Sequence, residues 1–394
     1  MIKNVFLSVF TVVLSICQFQ AQWSSVPSPT TVQLSGVEFV DPQLGFIGGI
    51  DGELYRTSDG AQTWTALNSG ITANIFAIAF IDEMVGFACA GDGSDSFIIK
   101  TTDGGDTWSS QQFPGPSYLL DIVFTSPDVG FCVGYGGTIL RTFDQGQTWT
   151  EVSTGTFQNV RSIHFVTDMI AYAALEYDGV LKTTDGGSSW TLYDDGVSEI
   201  LLDVFFIDAL KGFCVGGHGQ MIRTDDGGET WSPVESGSTE FFQAIHFTDE
   251  NTGYAVGGAG VISKTEDGGL TWSIEFAGTF TNQYGWYDIS YAGDTGYLVG
   301  FLGNIAVNGM STGVDDLSIS LPFDFYPNPN QGQLFLKNPP CHQPEIRIYD
   351  ELGRLVLNEP TSMQESMVIN IPPGNYIAEC RCADRFLRRR LVVQ

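Results

Sequence analysis

The chain has 394 residues, of which 43% are hydrophobic and 16% charged, so it can build a packed core and is too apolar for a disordered chain. Its 46 acids against 17 lysines and arginines leave a formal charge of −29, which repels phosphate backbones and sets nucleic acid aside as a partner. The imbalance is local: residues 22–320 hold 38 acids and eight bases, whereas residues 321–394 hold eight of each.

At the start, Lys3 precedes an apolar run from Val5 to Ile16 and polar residues up to Ala21. Residues 1–21 read as a signal peptide, with a run too short for a membrane span. No later stretch is apolar enough to span, so the mature chain is expected to have no transmembrane segment.

From residue 57 an eight-residue phrase returns six times: TSDGAQTW, TTDGGDTW, TFDQGQTW, TTDGGSSW, TDDGGETW and TEDGGLTW. It ends at Trp64, Trp108, Trp149, Trp190, Trp231 and Trp272, at spacings of 44, 41, 41, 41 and 41 residues. A fixed period in this range marks stacked or circular repeats. Within each copy a short aspartate side chain (Asp59, Asp103, Asp144, Asp185, Asp226, Asp267) can accept backbone N–H bonds and hold a tight turn. Glycine stands two residues after it in five copies, and Ala61 takes that place in the first. The phrase resembles the Asp-box, or bacterial neuraminidase repeat. A catalytic residue is needed once and a hairpin staple in every repeat, so these six aspartates and six tryptophans are read as structural.

Each repeat reads as four strands. In the third, Asp121–Phe124 is the inner strand, Gly130–Gly134 the second, Thr138–Arg141 the third and Trp149–Val152 the fourth. Four short strands and their turns fill about 41 residues, which is a β-propeller blade. The second-strand signature Gly-Phe, Ala-Tyr or Gly-Tyr occurs seven times, at 45, 86, 130, 171, 212, 253 and 296. The seventh copy has a third strand at Asn304–Val307 and no box. Its fourth strand is found at the other end, in Gln22-Trp23-Ser24-Ser25-Val26, which looks like the segment after each box. The expected fold is therefore all-β: a seven-bladed propeller over 22–310 closed by an N-terminal strand, with six blades as the alternative. Cys132 and Cys214 share one slot of two repeats and Cys89 lies one residue off, which suits buried core residues rather than bridges.

Residues 311–320 read as a polar linker. Beyond it, YPNP at 326–329, IYDELGRLV at 348–356, PPGNYIAEC at 372–380 and FLRRRLVVQ at 386–394 read as short strands between turns. Residues 321–394 resemble the type A C-terminal sorting domain of the type IX secretion system of Bacteroidota. That resemblance implies a small β-sandwich, the type IX machinery as a partner, and export to the cell surface or medium. The propeller resembles the photosystem II stability and assembly factor propellers in its GF-x-VG strand, G-x-I-x-[KR]-T strand and DGG-x-TW turn. That likeness implies a non-enzymatic, protein-binding role, though the arginine-rich face of those proteins has no counterpart in this sequence.

Sialidase chemistry needs an arginine cluster on a carboxylate. Arg56, Arg141 and Arg223 each precede a box on separate blades, which leaves Arg161 alone. No zinc spacing occurs, and no metal or cofactor is expected. His164 and His246 share one inner-strand slot and read as packing or channel-lining residues. Ligands are expected where loops entering the inner strands meet loops between second and third strands. These bring Tyr118, Phe157, Phe242, Tyr284 and Trp286 from the first set, and Tyr135, Tyr177 and His218 from the second. Asp121, Asp203 and Asp288 share an inner-strand slot and are read as a polar ring on the central channel. The expectation is a monomeric, secreted or surface-displayed propeller that binds a glycan or protein. The alternatives are a glycoside hydrolase using face carboxylates and a cell-envelope assembly factor.

Overall fold

The computed structural model describes residues 23–115, 118–177, 179–193, 200–275 and 285–308, and seven strands between 324 and 393. The expected signal peptide and linker, and Tyr284, lie outside the described residues. The chain divides into two compact units, Met1–Gly309 and Met310–Gln394.

The first unit is a seven-bladed propeller of four-stranded antiparallel sheets. Blade 3 runs Leu119–Phe124, Gly130–Gly134, Ile139–Thr142 and Thr150–Glu151, within one or two residues of the sequence reading. Blade 7 takes Trp286–Ala292, Thr295–Gly300 and Ile305–Asn308 from the end of the propeller and Ser24–Ser25 from its start. The closing pairs are Ser24 with Val307 and Ser25 with Ala306. The ring is therefore fastened by chain ends some 280 residues apart in sequence, and the open edge of blade 7 is paired.

Aromatic packing carries the blade-to-blade contacts. The second-strand aromatic of one blade meets the last inner-strand aromatic of the next. Phe46 lies against Phe80, Phe87 against Phe124, Tyr172 against Phe206 and Phe213 against Phe247, at centroid distances of 4.0, 4.3, 3.5 and 4.9 Å. The box tryptophan then closes edge-on against the inner-strand ring, as Trp108 does on Phe80 at 6.2 Å and Trp231 on Phe206 at 5.9 Å. At the closure Tyr297 stacks on Phe39, and Trp64 completes the set. Between blades 6 and 7, where no box exists, Trp23 of the N-terminal segment takes the tryptophan's place against Tyr254 and Tyr291. Trp23 is 1% exposed, so its burial adds an apolar anchor to the two short closing pairs. Cys89, Cys132 and Cys214 are buried in these interfaces and form no disulfide among the described residues.

The second unit has a three-stranded sheet (Asp324–Tyr326, Gln333–Lys337, Ser366–Val368). Its other sheet is four-stranded, in the order Leu355–Pro360, Glu345–Tyr349, Gly374–Cys382, Arg385–Val393. All pairings are antiparallel.

Candidate ligand-binding mouth of the propeller

Strand direction divides the propeller into two faces. Turns from first to second strand and the boxes from third to fourth lie on one face. Turns from second to third strand, and the links into each inner strand, lie on the other. The box face is held by repeated local bonds. In blade 5, Thr224 Oγ1 donates to Asp226 Oδ1 (2.8 Å) and accepts from Gly228 N (2.9 Å). Asp226 in turn accepts from Thr230 N (2.9 Å) and from Thr230 Oγ1 (2.7 Å). The other five boxes repeat this pattern. The threonine or serine bonds hold Asp103, Asp144, Asp185, Asp226 and Asp267 down at about 2. At Asp59 burial works the other way, but the bonds from Thr63 and Thr57 still lower it. Every box carboxylate is thus occupied by its own turn.

The box glycine also sits on the preceding blade. Gly269 has φ +77°, and a side chain there would run into the Phe213 ring. In four blades the basic residue before the box crosses the same interface: Arg56 Nη1 donates to Gly104 O (2.7 Å), Lys100 Nζ to Gln145 O (2.6 Å), Arg141 Nη1 to Ser188 Oγ (2.9 Å) and Lys182 Nζ to Gly227 O (2.7 Å). Arg223 and Lys264 instead bond Asp225 and Glu266 of their own boxes.

On the opposite face a cavity of about 480 Å³ opens at the end of the channel. Each inner strand begins with a bulge, seen in blade 3 between Leu119 and Asp121. The residue just before the bulge on each inner strand points into the core: Leu34, Ile75, Leu119, Val160, Leu201, Phe242 and Trp286 are all nearly fully buried. This corrects the expectation for two site residues. Phe242 is 0% and Trp286 2% exposed, and Trp286 Nε1 donates to Gly260 O (3.3 Å), because their slot faces the neighbouring blade.

The slot two residues on lines the cavity and carries Asp121, Asp203 and Asp288 on blades 3, 5 and 7. An inner strand is a sheet edge with unpaired N–H groups, and these acids satisfy them. Asp121 accepts from Ile122 N (2.8 Å) and, across to blade 4, from Ile163 N (2.9 Å). Asp203 bonds Val204 N and Ile245 N, both at 2.8 Å. Asp288 bonds Ile289 N and Val37 N, also at 2.8 Å, and so ties blade 7 to blade 1. Burial pushes all three carboxyls up, Asp203 to about 7, and the other channel acids push Asp203 and Asp288 further.

Two residues deeper, the next slot holds Glu38, His164, His246 and Ser290. Burial pushes Glu38 up to about 8 and both histidines down to about 4. His164 Nε2 lies 3.2 Å from Phe206 O and His246 stacks on Tyr291, so both histidines line and pack the channel.

Among the predicted aromatics, Tyr118 and Tyr135 meet on the cavity wall with centroids 5.0 Å apart, and Phe76 adds an edge-on contact to Tyr118 at 5.7 Å. Phe157, Tyr177 and His218 are exposed on the loops of this face and do not line the cavity. Sequence reasoning did not single out Arg161, Gln33, Asn74, Gln243 and Tyr287 as site residues, yet all line it. Arg161, Gln243 and Tyr287 occupy the slot just before the aspartate slot. The bulge turns that residue toward the mouth, and alternation alone would turn it away. Arg161 is the one cation among the described lining residues; its Nη1 is 4.0 Å from Glu176 Oε2.

Residues 16–113 and 108–194 match the family described as photosynthesis system II assembly factor YCF48, and residues 222–233 match the BNR/Asp-box repeat. Residues 324–394 match the secretion system C-terminal sorting domain. The chain is similar to the YCF48 propellers and carries a sorting tail of the type IX kind. Among solved structures, YCF48 bound to D1 peptide aligns with a TM-score of 0.63 at 21% identity, over 73% of this chain and 94% of its own. YCF48 from Cyanidioschyzon merolae aligns at 0.62 and 20% identity, over 73% and 98%. The WD40 propeller domain of Doa1 reaches 0.59 at 9% identity, over 74% and 97%. No curated protein matches the sequence. At these identities the YCF48 likeness establishes the fold alone, while the sorting tail indicates export to the surface or medium.

Proposed function

We propose that this is an exported, non-enzymatic propeller that captures a segment of another protein in the mouth of its channel. The observation that carries the reading is the 480 Å³ cavity, whose wall combines the Tyr118–Tyr135 pair with the amides of Gln33, Asn74 and Gln243. Aromatic faces and amides suit an extended backbone, which offers both donors and acceptors. A similar propeller, YCF48, is described bound to a peptide. Export would follow the signal peptide first and the type IX route second, through the C-terminal domain.

The glycosidase reading has less support. Its best carboxyls, Asp121 and Asp203, each accept two backbone N–H bonds that tie adjacent inner strands. A glycan ligand shares the aromatic wall, so one experiment separates the two. Full-length protein and its Tyr118→Ala variant are applied to a peptide array and a glycan array. Peptide binding lost in the variant is the expected result. Glycan binding alone, lost in the same variant, would overturn the protein-ligand reading.

A further inference from the structure

We propose that the channel mouth recognises a cationic side chain, lysine or arginine, on the captured segment; this rests on the mouth being a peptide site. The cavity wall is short of positive charge. Asp121, Asp203 and Asp288 stand on alternate blades around it, and no ion pair reaches any of them among the described residues. Among the described residues Arg161 is the single cation there, and Glu176 beside it offsets its charge.

A second observation comes from the layer below. Glu38 lies two residues past the aspartate slot of blade 1, so strand alternation turns it into the same channel. It makes no side-chain hydrogen bond among the described residues, and burial alone pushes it to about 8. A half-buried carboxyl with no hydrogen-bond partner carries a desolvation cost, and an entering cation would relieve it. The rim supplies a third, different feature. Phe76, Tyr118 and Tyr135 form one contiguous aromatic cluster at the mouth, and a cation is attracted to such ring faces. Over longer range, a chain of net charge −29 steers cations toward itself and slows acidic segments.

Protonation follows from the same geometry. Asp203 is faced by Asp121, Asp288, Ser162 and Arg161, and Glu38 shares its layer with His164, His246 and Ser290. With both histidines near 4 they stay neutral, so Asp203, near 7, and Glu38, near 8, carry the change of charge around neutral pH. A bound ammonium or guanidinium favours the ionised carboxyls, so binding expels protons into solvent and tightens as pH rises from about 5.5 to 8.5.

The test uses full-length protein and three capped decapeptides that differ at one central position: Lys, Gln or Glu. Calorimetry is run in two buffers of different ionisation enthalpy. The Lys peptide should bind about tenfold tighter than the Gln peptide, with proton release, and the Glu peptide weakest. Asp203→Asn and Glu38→Gln should each remove most of the Lys preference and proton release, with near-ultraviolet circular dichroism checking the fold. Asp294→Asn, an exposed acid on the box face, should leave both unchanged. Equal binding of Lys and Gln peptides would overturn the proposal. So would a preference that survives both channel variants, or one that falls equally in Asp294→Asn. If the Gln or Glu peptide binds best and Tyr118→Ala abolishes it, the cation assignment falls and the peptide site stands. If none of the three binds, both fall.

Discussion

The six box aspartates and the three channel aspartates are the same side chain doing nearly the same thing in opposite surroundings. Each accepts a main-chain N–H at about 2.8–2.9 Å on both sides of the comparison, as Asp226 does from Thr230 and Asp203 from Ile245. In the boxes, at the solvent-facing edge, hydrogen bonds decide and five carboxyls settle near 2. In the channel, loss of water decides, and Asp203 rises to about 7 in spite of its bonds. Hydrogen-bond geometry alone therefore does not set acidity; the dielectric around the pair does. The box holds a turn within one blade, whereas a channel acid ties two blades together.

The largest expected effect strikes the box where it meets the neighbouring blade. Gly269→Val forces a branched residue to φ +77° and into Phe213, and should cost roughly 3 kcal/mol or more, read from urea unfolding. Next come single-bond tests on each side. Asp288→Ala leaves Val37 N and Ile289 N without their acceptor and should cost about 1–3 kcal/mol. Thr224→Val, at a buried hydroxyl with three box bonds, should cost a similar amount. A tolerated Asp288→Ala would mean that the channel acids do not fasten the ring.

Stability against pH sharpens the contrast further. A box carboxyl near 2 is more acidic than its unfolded value of about 3.9, so its contribution is complete above that value and is lost as pH falls through about 2. Asp203, raised to about 7, behaves in reverse: its contribution is complete below about 4 and is lost as pH rises through about 7. Thermal unfolding should therefore peak near pH 4–5, and Asp203→Asn should lessen the slope of the pH 4–7 limb, which Glu38, Asp121 and Asp288 share, while leaving the acid limb in place. The smallest effect is at the rim, where Phe157 is 93% exposed. Phe157→Ala should shift stability by less than about 0.5 kcal/mol, so any loss of ligand binding in that variant reports contact alone.

Much of this was readable along the chain, because the period of the repeat, the four-strand pattern within it and the second-strand Gly-aromatic pair are local features. Even the closure by Trp23 and its strand could be inferred, since the segment repeats a pattern whose partner is missing at the other end. The channel slot of Asp121, Asp203 and Asp288 was legible for the same reason: equivalent positions in a ring converge. What repetition could not tell is which way a side chain turns at an irregularity. The bulge at the start of each inner strand sends Trp286 and Phe242 into the core and brings Arg161, Gln243 and Tyr287 to the mouth. A bulge is set by how two strands register against each other, which one chain segment does not encode by itself. The acidity of the three channel aspartates was likewise decided only by the folded ring, since burial of the channel is created by seven blades at once. The sequence by itself determined the number of blades and their closure. The tertiary structure decided which residues face the ligand and which carboxyls are kept from water.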